Sequence, residues 1–186
     1  MRLFVAVELP EALRAQLGAG VERLRRELPS ARWVRCENVH ITLAFLGEVD
    51  AGAADAVATG LASAALGLAP TVVAPMGGGF FPSRERPRVA WVGGDCSGLV
   101  PWAAAVARVA EASGIAVDHR PFSLHLTVAR LSRPWRPSEV QRFLDRVGSW
   151  TLPAFTAREL VLFSSELRPG GSRYTAIGRW PVTGGG

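Results

Sequence analysis

Hydrophobic residues recur along this sequence with two different periods, which predict helices and strands. Between Leu13 and Leu28 the apolar positions lie three or four residues apart, and Pro10 stands where proline commonly opens a helix. Shorter runs rich in valine, isoleucine and phenylalanine are bounded by turn residues and predict strands. The predicted strands are 3–9, 39–46, 70–76, 88–93, 123–131, 155–163 and 173–180, the later helices are 51–66, 97–112 and 137–147, and loops are predicted at 77–82 and 169–171.

The order of these elements repeats after a shift of 85 residues, which places residues 3–9 on 88–94 and His40 on His125. Two halves that share one plan are typical of internal duplication. We therefore expect an α+β fold with two pseudo-symmetric lobes, built as a single bilobal domain of residues 1–186 with halves of about 1–85 and 86–186. Whether the late strands cross between the lobes is left open.

Composition and charge narrow the class of protein. The net charge is +5, and all 21 basic residues are arginine, whose guanidinium group suits phosphates and bases. The charge favours an anionic substrate or RNA without choosing between them. No apolar run approaches the roughly 20 residues of a membrane helix, so we expect a cytoplasmic protein without membrane contact. Cys36 and Cys96 are interpreted as free thiols, and no metal site is expected.

Two of the three histidines lie in matching segments, His40-Ile-Thr42-Leu and His125-Leu-Thr127-Val, each inside a predicted strand. Because side chains alternate across a strand, each histidine and its threonine share one face and the aliphatic residues share the other. If the two lobes face each other, four polar groups meet in one cleft. His119 has no matching threonine and is interpreted as a surface turn residue.

Paired imidazoles suit phosphate chemistry. A neutral histidine removes a proton from water, a protonated one gives a proton to a departing alkoxide, and both forms are accessible near neutral pH. The hydroxyl groups of Thr42 and Thr127 can donate hydrogen bonds to nonbridging phosphate oxygens. No metal or other cofactor is needed for these steps.

The residues around both histidines resemble a known family. Segments 32–34 (Arg-Trp-Val), 37–48 (ENVHITLAFLGE) and 120–130 (RPFSLHLTVAR) are similar to the two-histidine phosphoesterases. Within that superfamily they resemble the RNA 2′,3′-cyclic phosphodiesterase branch, also called 2′-5′ RNA ligase. The similarity runs from Leu3 to about Trp180. It implies antiparallel sheets that face a central cleft, with helices on the outside.

The resemblance also implies an activity. This is metal-independent hydrolysis of RNA or nucleotide 2′,3′-cyclic phosphate to a 2′-phosphomonoester, with reversible 2′-5′ ligation of RNA in some members. On this model His125 is the proton acceptor that activates water, and His40 is the proton donor to the leaving 3′ oxygen. The expected partners are RNA ends with a 2′,3′-cyclic phosphate, tRNA halves among them, and the expected state is a monomer.

Four further residues are candidates for substrate contacts. The resemblance makes Arg130 a phosphate-binding residue, but counting alternate faces from His125 places Arg130 away from the cleft unless the strand bends. Phe45, Phe81 and Tyr174 could stack on a base, although a structural role is favoured for each. The face count places Phe45 with the buried residues of its strand.

Two alternatives to this activity stay open. The first is a non-catalytic RNA-binding module that keeps the fold and the basic cleft, although all four motif side chains are present and favour catalysis. The second is an enzyme with a different substrate, either another cyclic phosphate or a 2′-5′ linked oligonucleotide.

Overall fold

The computed structural model describes residues 1–28, 31–168 and 171–184. The strands of this part of the chain are β1 (Arg2–Glu8), β2 (Ala31–Trp33), β3 (His40–Glu48), β4 (Thr71–Phe81), β5 (Val89–Asp95), β6 (Leu126–Leu131), β7 (Phe155–Ala157), β8 (Glu159–Arg168) and β9 (Gly171–Pro181). The helices are α1 (Glu11–Glu27), α2 (Ala51–Leu66), α3 (Val100–Ala112) and α4 (Pro137–Gly148), with 3-10 turns at Cys36–Asn38 and Ser97–Leu99.

Local signals in the sequence explain where the helices begin. The carboxylate of Asp50 accepts a hydrogen bond of 2.8 Å from the backbone N–H of Ala53 and so caps α2. At the start of α4, the carboxylate of Glu139 accepts a bond of 2.7 Å from the backbone N–H of Arg136. Proline precedes α1 and opens α4, where its fixed backbone angle fits the first turn.

The described strands form two antiparallel sheets. The first sheet has the order β3-β1-β8-β9 and the second has the order β2-β6-β5-β4-β7. The pair β1 and β3 in the first sheet corresponds to the pair β5 and β6 in the second, as the internal repeat predicts. The late strands are exchanged between halves, since β4 lies in the second sheet while β8 and β9 lie in the first.

One hydrophobic core runs under both sheets. It combines one face of each sheet with the apolar sides of the helices, and its fully buried members include Leu17, Ile41, Trp102, Leu126 and Leu160. The opposite face of the first sheet carries a second, smaller cluster, formed by Phe4, Ala6, Val161 and Phe163 with Tyr174 against it. The second cluster lies on the face that also carries His40, whose ring stacks on Phe4.

The α+β architecture with antiparallel sheets is confirmed, but several predicted boundaries are wrong, among them the strand end predicted at residue 163, since β8 continues to Arg168. Residues 77–81 are part of β4, because glycines in a strand leave room for the ring of Trp91 beside them. The strand predicted at 155–163 is interrupted at Arg158, with β7 in one sheet and β8 in the other. His125 precedes β6. Residues 169 and 170 of the last predicted loop lie outside the described part of the chain.

Within the described residues, no helix combines the length and the apolar character needed to cross a membrane.

Two leucines of strand β8 test which face of the strand is packed in the core. Leu160 is fully buried, whereas Leu167 on the same strand is 75% exposed. We expect Leu160→Ala to lower the free energy of unfolding by about 3 kcal/mol, because it removes buried methyl groups and leaves a cavity. The matched variant Leu167→Ala should change it by less than about 0.5 kcal/mol. Urea unfolding of both variants measures the difference, and equal losses would contradict this description of the core.

Candidate active site

The two matched histidines occupy equivalent places in the two sheets. His40 is the first residue of β3, and His125 immediately precedes β6. Strands β3 and β6 contact each other although they belong to different sheets. The positive charge of a protonated His125 also acts directly on His40. The fold therefore brings together the imidazoles of His40 and His125, the two histidines of the matching sequence segments.

Both rings are held by the same backbone interaction. Nδ1 of His40 lies 2.8 Å from the carbonyl oxygen of Asn38, and Nδ1 of His125 lies 2.9 Å from that of Ser123. A carbonyl oxygen can only accept, so Nδ1 carries the proton and donates in each case. In the neutral ring the lone pair is then on Nε2, which is left for a substrate. The sequence motif does not show this bond to the residue two positions upstream.

The threonines of the motifs share faces with their histidines. Thr42 lies opposite Ala6 in the β1–β3 pair, and Ala6 belongs to the cluster on the cleft face. Thr127 lies opposite Trp91 in the β5–β6 pair. Both hydroxyl-bearing residues are half-buried. Each threonine is two residues, or about 7 Å, along the chain from its histidine.

His40 sits in an aromatic pocket on the first sheet. Its ring stacks on Phe4 with centroids 4.7 Å apart, and the ring of Tyr174 meets it edge-on at 5.2 Å. The ring of Phe163 lies beside both, with its centroid 5.1 Å from that of Phe4 and 6.1 Å from that of His40. Tyr174, a candidate from the sequence, therefore lies beside the imidazole.

This pocket lowers the pKa of His40 to about 4, chiefly because burial removes water from the protonated ring. A charged His125 acts in the same direction. The hydrogen bond to Asn38 and the carboxylate of Glu8 raise the pKa, but by less than burial lowers it. His40 is therefore neutral at pH 7 in the ligand-free protein.

His125 has a different setting on the second sheet. It is half-buried, and the ring of Phe81 meets it edge-on at 5.1 Å. Phe81 also contacts Trp91, with ring centroids 5.3 Å apart. The Trp91 indole lies flat against the strand backbone at Gly79, where a Cβ would come within 2.5 Å of the ring. Phe81 and Trp91 thus form an aromatic floor next to the second histidine.

Phe45 lies on the cleft face, which corrects the face count from the sequence. The β1–β3 register passes from Val5 opposite Ala44 to Ala6 opposite Thr42, so Leu43 is an extra residue in a bulge. Beyond the bulge the alternation is reversed. Phe45 is 59% exposed and its ring lies 6.0 Å from that of Phe4, so the core interpretation of Phe45 is wrong.

A second bulge moves Arg130 to the cleft face. The β5–β6 register passes from Ala90 opposite Ala129 to Trp91 opposite Thr127, which leaves Val128 as the extra residue. Val128 and Ala129 are both fully buried, and Arg130 is exposed on the face of Thr127. The simple alternation that placed Arg130 away from the cleft is wrong, because the strand bends at this bulge.

The sequence analysis missed an ion-pair network beside His40. Glu8 lies opposite His40 in the β1–β3 register. The guanidinium of Arg179 donates to the carboxylate of Glu8 at 2.6 Å and to that of Glu159 at 2.8 Å. These three residues come from three strands, so no local motif signals them.

The remaining candidates lie elsewhere. His119 is exposed, with Nε2 3.6 Å from a carboxylate oxygen of Glu111. Cys36 and Cys96 are free thiols, and burial raises the pKa of Cys36. Among the described residues, no three side chains of the types His, Cys, Asp and Glu are grouped as a metal site requires.

The fold and this site match a family of phosphoesterases. A family model described as LigT like Phosphoesterase matches residues 7–91 and 96–174, and both histidine motifs lie inside the matched segments. The chain therefore belongs to the LigT-like phosphoesterase family.

Curated relatives give the family a narrower name. Proteins called RNA 2′,3′-cyclic phosphodiesterase from Thermus thermophilus and Escherichia coli are 34% and 31% identical, over 99% and 98% of this chain and 91% and 97% of their own lengths. A protein of the same name from Geobacillus stearothermophilus is 29% identical over 97% of this chain, which spans 57% of that longer relative. The resemblance to the cyclic phosphodiesterase branch of the two-histidine phosphoesterases is confirmed.

Solved structures agree with this assignment. A crystal structure of a protein from Thermus thermophilus superposes with a TM-score of 0.79 at 28% identity, covering 99% of both chains. Escherichia coli LigT complexed with 3′-AMP superposes with a TM-score of 0.75 at 27% identity, covering 98% of both chains. The sheets and the cleft of this chain are thus those of a LigT-like fold.

The burial of His40 predicts how it titrates. In the ligand-free protein we expect its NMR titration midpoint near pH 4, because the buried ring resists protonation. Since this pKa lies below the ordinary value of about 6.5, the contribution of neutral His40 to stability is complete above pH 6.5 and is lost as the pH falls towards 4. The variant His40→Gln should show a smaller loss of unfolding free energy than the wild type between pH 6.5 and 4. The matched variant His119→Gln should show the same loss as the wild type. A midpoint near 6.5 for His40 would contradict the burial described.

Proposed function

We propose that this chain hydrolyses RNA 2′,3′-cyclic phosphate ends to 2′-phosphomonoesters by paired-histidine general acid and base catalysis. The observation that carries the proposal is the matched pair of imidazoles. Each one donates its Nδ1 proton to the carbonyl two residues upstream and keeps Nε2 for the cleft. Family membership and the names of the relatives support the same activity.

The chemistry needs one group to take a proton and one to give a proton. Water attacks phosphorus as His125 accepts its proton, the bond from phosphorus to the 3′ oxygen breaks, and His40 protonates that oxygen. The products are a 2′-phosphate and a free 3′ hydroxyl group. The hydroxyls of Thr42 and Thr127 donate to the nonbridging oxygens, which hold negative charge throughout the displacement. Arg130 binds a phosphate of the RNA end.

As a proton donor, His40 must be protonated when the substrate is bound. A group with a pKa of about 4 carries little proton at pH 7, so the substrate must raise that pKa. The phosphodiester anion does so when it lies next to the ring, because an adjacent negative charge stabilises the imidazolium. Displacement of water by the substrate strengthens this interaction. In the reverse reaction, 2′-5′ ligation, the two histidines exchange roles.

The aromatic residues of the cleft provide places for a base. Phe45 is largely exposed on the first sheet, while Phe81 and Tyr174 each flank one histidine. Stacking on such rings tolerates different bases, which fits an enzyme that acts on RNA ends generally. We further propose that the protein works as a cytoplasmic monomer without a metal or another cofactor, and that its substrates include tRNA halves.

Removal of either imidazole tests the catalytic pair. We expect His40→Ala and His125→Ala each to lower kcat/KM for 2′,3′-cyclic AMP by about 10³-fold, because each removes one proton-transfer group. The matched control His119→Ala, which changes an exposed histidine outside the cleft, should keep wild-type activity. Wild-type activity should also persist in EDTA. RNA binding by a wild-type protein that hydrolyses no cyclic phosphate would favour the non-catalytic alternative.

The identity of the product tests which bond breaks. Phosphorus NMR of the reaction with 2′,3′-cyclic AMP should show 2′-AMP, because His40 is proposed to protonate the 3′ oxygen. A 3′-AMP product would mean that the 2′ oxygen leaves instead, which would contradict the proposal that His40 protonates the 3′ oxygen. Efficient hydrolysis of only a 2′-5′ linked oligonucleotide would instead support the alternative substrate class.

A further inference from the structure

Two arginines lie directly opposite each other on the cleft face of the second sheet. Arg32 of β2 pairs with Arg130 of β6 in the antiparallel register. Their neighbours Trp33 and Ala129 pack against the core, so Arg32 and Arg130 point to the other side, which is the side of Thr127 and Trp91. Both arginines are exposed.

This pairing is unfavourable in the protein alone. Like charges directly opposite on neighbouring strands repel each other and destabilise the pair. Within the described residues, neither Arg32 nor Arg130 makes a salt bridge with a carboxylate. An anion between the two guanidinium groups would remove the repulsion and accept charge-assisted hydrogen bonds from both.

The pair lies at a definite distance from the catalytic residues. Along β5, Trp91 lies opposite Thr127 and Val89 lies opposite Arg130, so the arginines are two residue pairs, or about 7 Å, from the threonine. That offset allows the two guanidinium groups to reach the next phosphate of an RNA chain while the cyclic phosphate is held at Thr127.

The distribution of arginines around the cleft indicates where the RNA substrate extends. Beside His40 on the first sheet, the guanidinium of Arg179 is already occupied by Glu8 and Glu159, so it offers no free cation to a phosphate. The loop that joins β4 to β5 follows Phe81, which lies opposite Val89, and Val89 in turn lies opposite Arg130. This loop contains Arg84, Arg86 and Arg88 with one glutamate. Positive charge therefore extends from Arg130 along the end of the second sheet to the loop after β4.

We propose that Arg32 and Arg130 together form a second phosphate subsite, which binds the phosphate on the 5′ side of the terminal nucleotide. This inference rests on the proposed function and refines its substrate class. An RNA end of two or more nucleotides fills the subsite, whereas a cyclic mononucleotide leaves it empty. The enzyme then discriminates in favour of oligonucleotide ends.

The test compares two substrates, 2′,3′-cyclic AMP and the dinucleotide ApA ending in a 2′,3′-cyclic phosphate. We expect the wild type to have the higher kcat/KM for the dinucleotide. Arg32→Gln should lower kcat/KM for the dinucleotide about tenfold more than for the mononucleotide, because one charge-assisted contact is lost. It should also reduce the slope of log kcat/KM against log salt for the dinucleotide by about 0.7.

The matched control is Arg25→Gln, which removes the same charge from the outer side of α1. It should leave the ratio between the substrates unchanged. The unfolding midpoint of Arg32→Gln should not fall, because a repulsive pair is relieved. An equal loss on both substrates, a lower midpoint that accounts for the loss, or the same effect from Arg25→Gln would overturn the subsite.

Product binding separates this inference from the proposed function. If the wild type hydrolyses neither substrate, the proposed activity fails, and calorimetric titration with 2′-AMP and with ApA 2′-phosphate still decides the subsite. Tighter binding of the dinucleotide that disappears in Arg32→Gln supports the subsite. Equal affinities of the wild type for the two ligands would overturn it.

Discussion

Burial of one aliphatic face of each sheet against the helices constrains the position of every other side chain on the strands. Ile41 and Leu126 are sealed in the core, so the histidine that precedes each of them must turn to the opposite face. Because β1 and β3 repeat the arrangement of β5 and β6, the two polar faces meet across one cleft. The position of the proposed catalytic pair is thus a consequence of core packing, and substitutions that disrupt the core would misplace both imidazoles together.

Two β-bulges modify this rule at the positions of Phe45 and Arg130, two of the candidates for substrate contacts. An extra residue at Leu43 turns Phe45 towards the cleft, and an extra residue at Val128 turns Arg130. In each case two consecutive residues pack inwards and the alternation is reversed beyond them. The bulges therefore add an aromatic ring to the cleft face of one sheet and a cation to that of the other, while the neighbouring residues stay packed in the core.

The two halves share a backbone plan but differ in electrostatics. The same bond from Nδ1 to an upstream carbonyl orients both rings, yet only His40 is enclosed by aromatic rings. Burial keeps His40 neutral in the ligand-free protein, and in the proposed mechanism the substrate anion raises its pKa on binding. A pseudo-symmetric fold can in this way assign two different tasks to two identical side chains.

The sequence by itself determined the α+β class, the internal repeat and the histidine–threonine pairs, because these depend on local periodicity and on residues two positions apart. It did not determine the exchange of late strands between sheets, the cleft position of Phe45, or the side on which Arg130 lies. Those features depend on strand register, and register follows from core packing between segments far apart in the chain. The contacts of Arg179 with Glu8 and Glu159, and the alignment of Arg32 with Arg130, likewise join strands that only the tertiary structure makes neighbours.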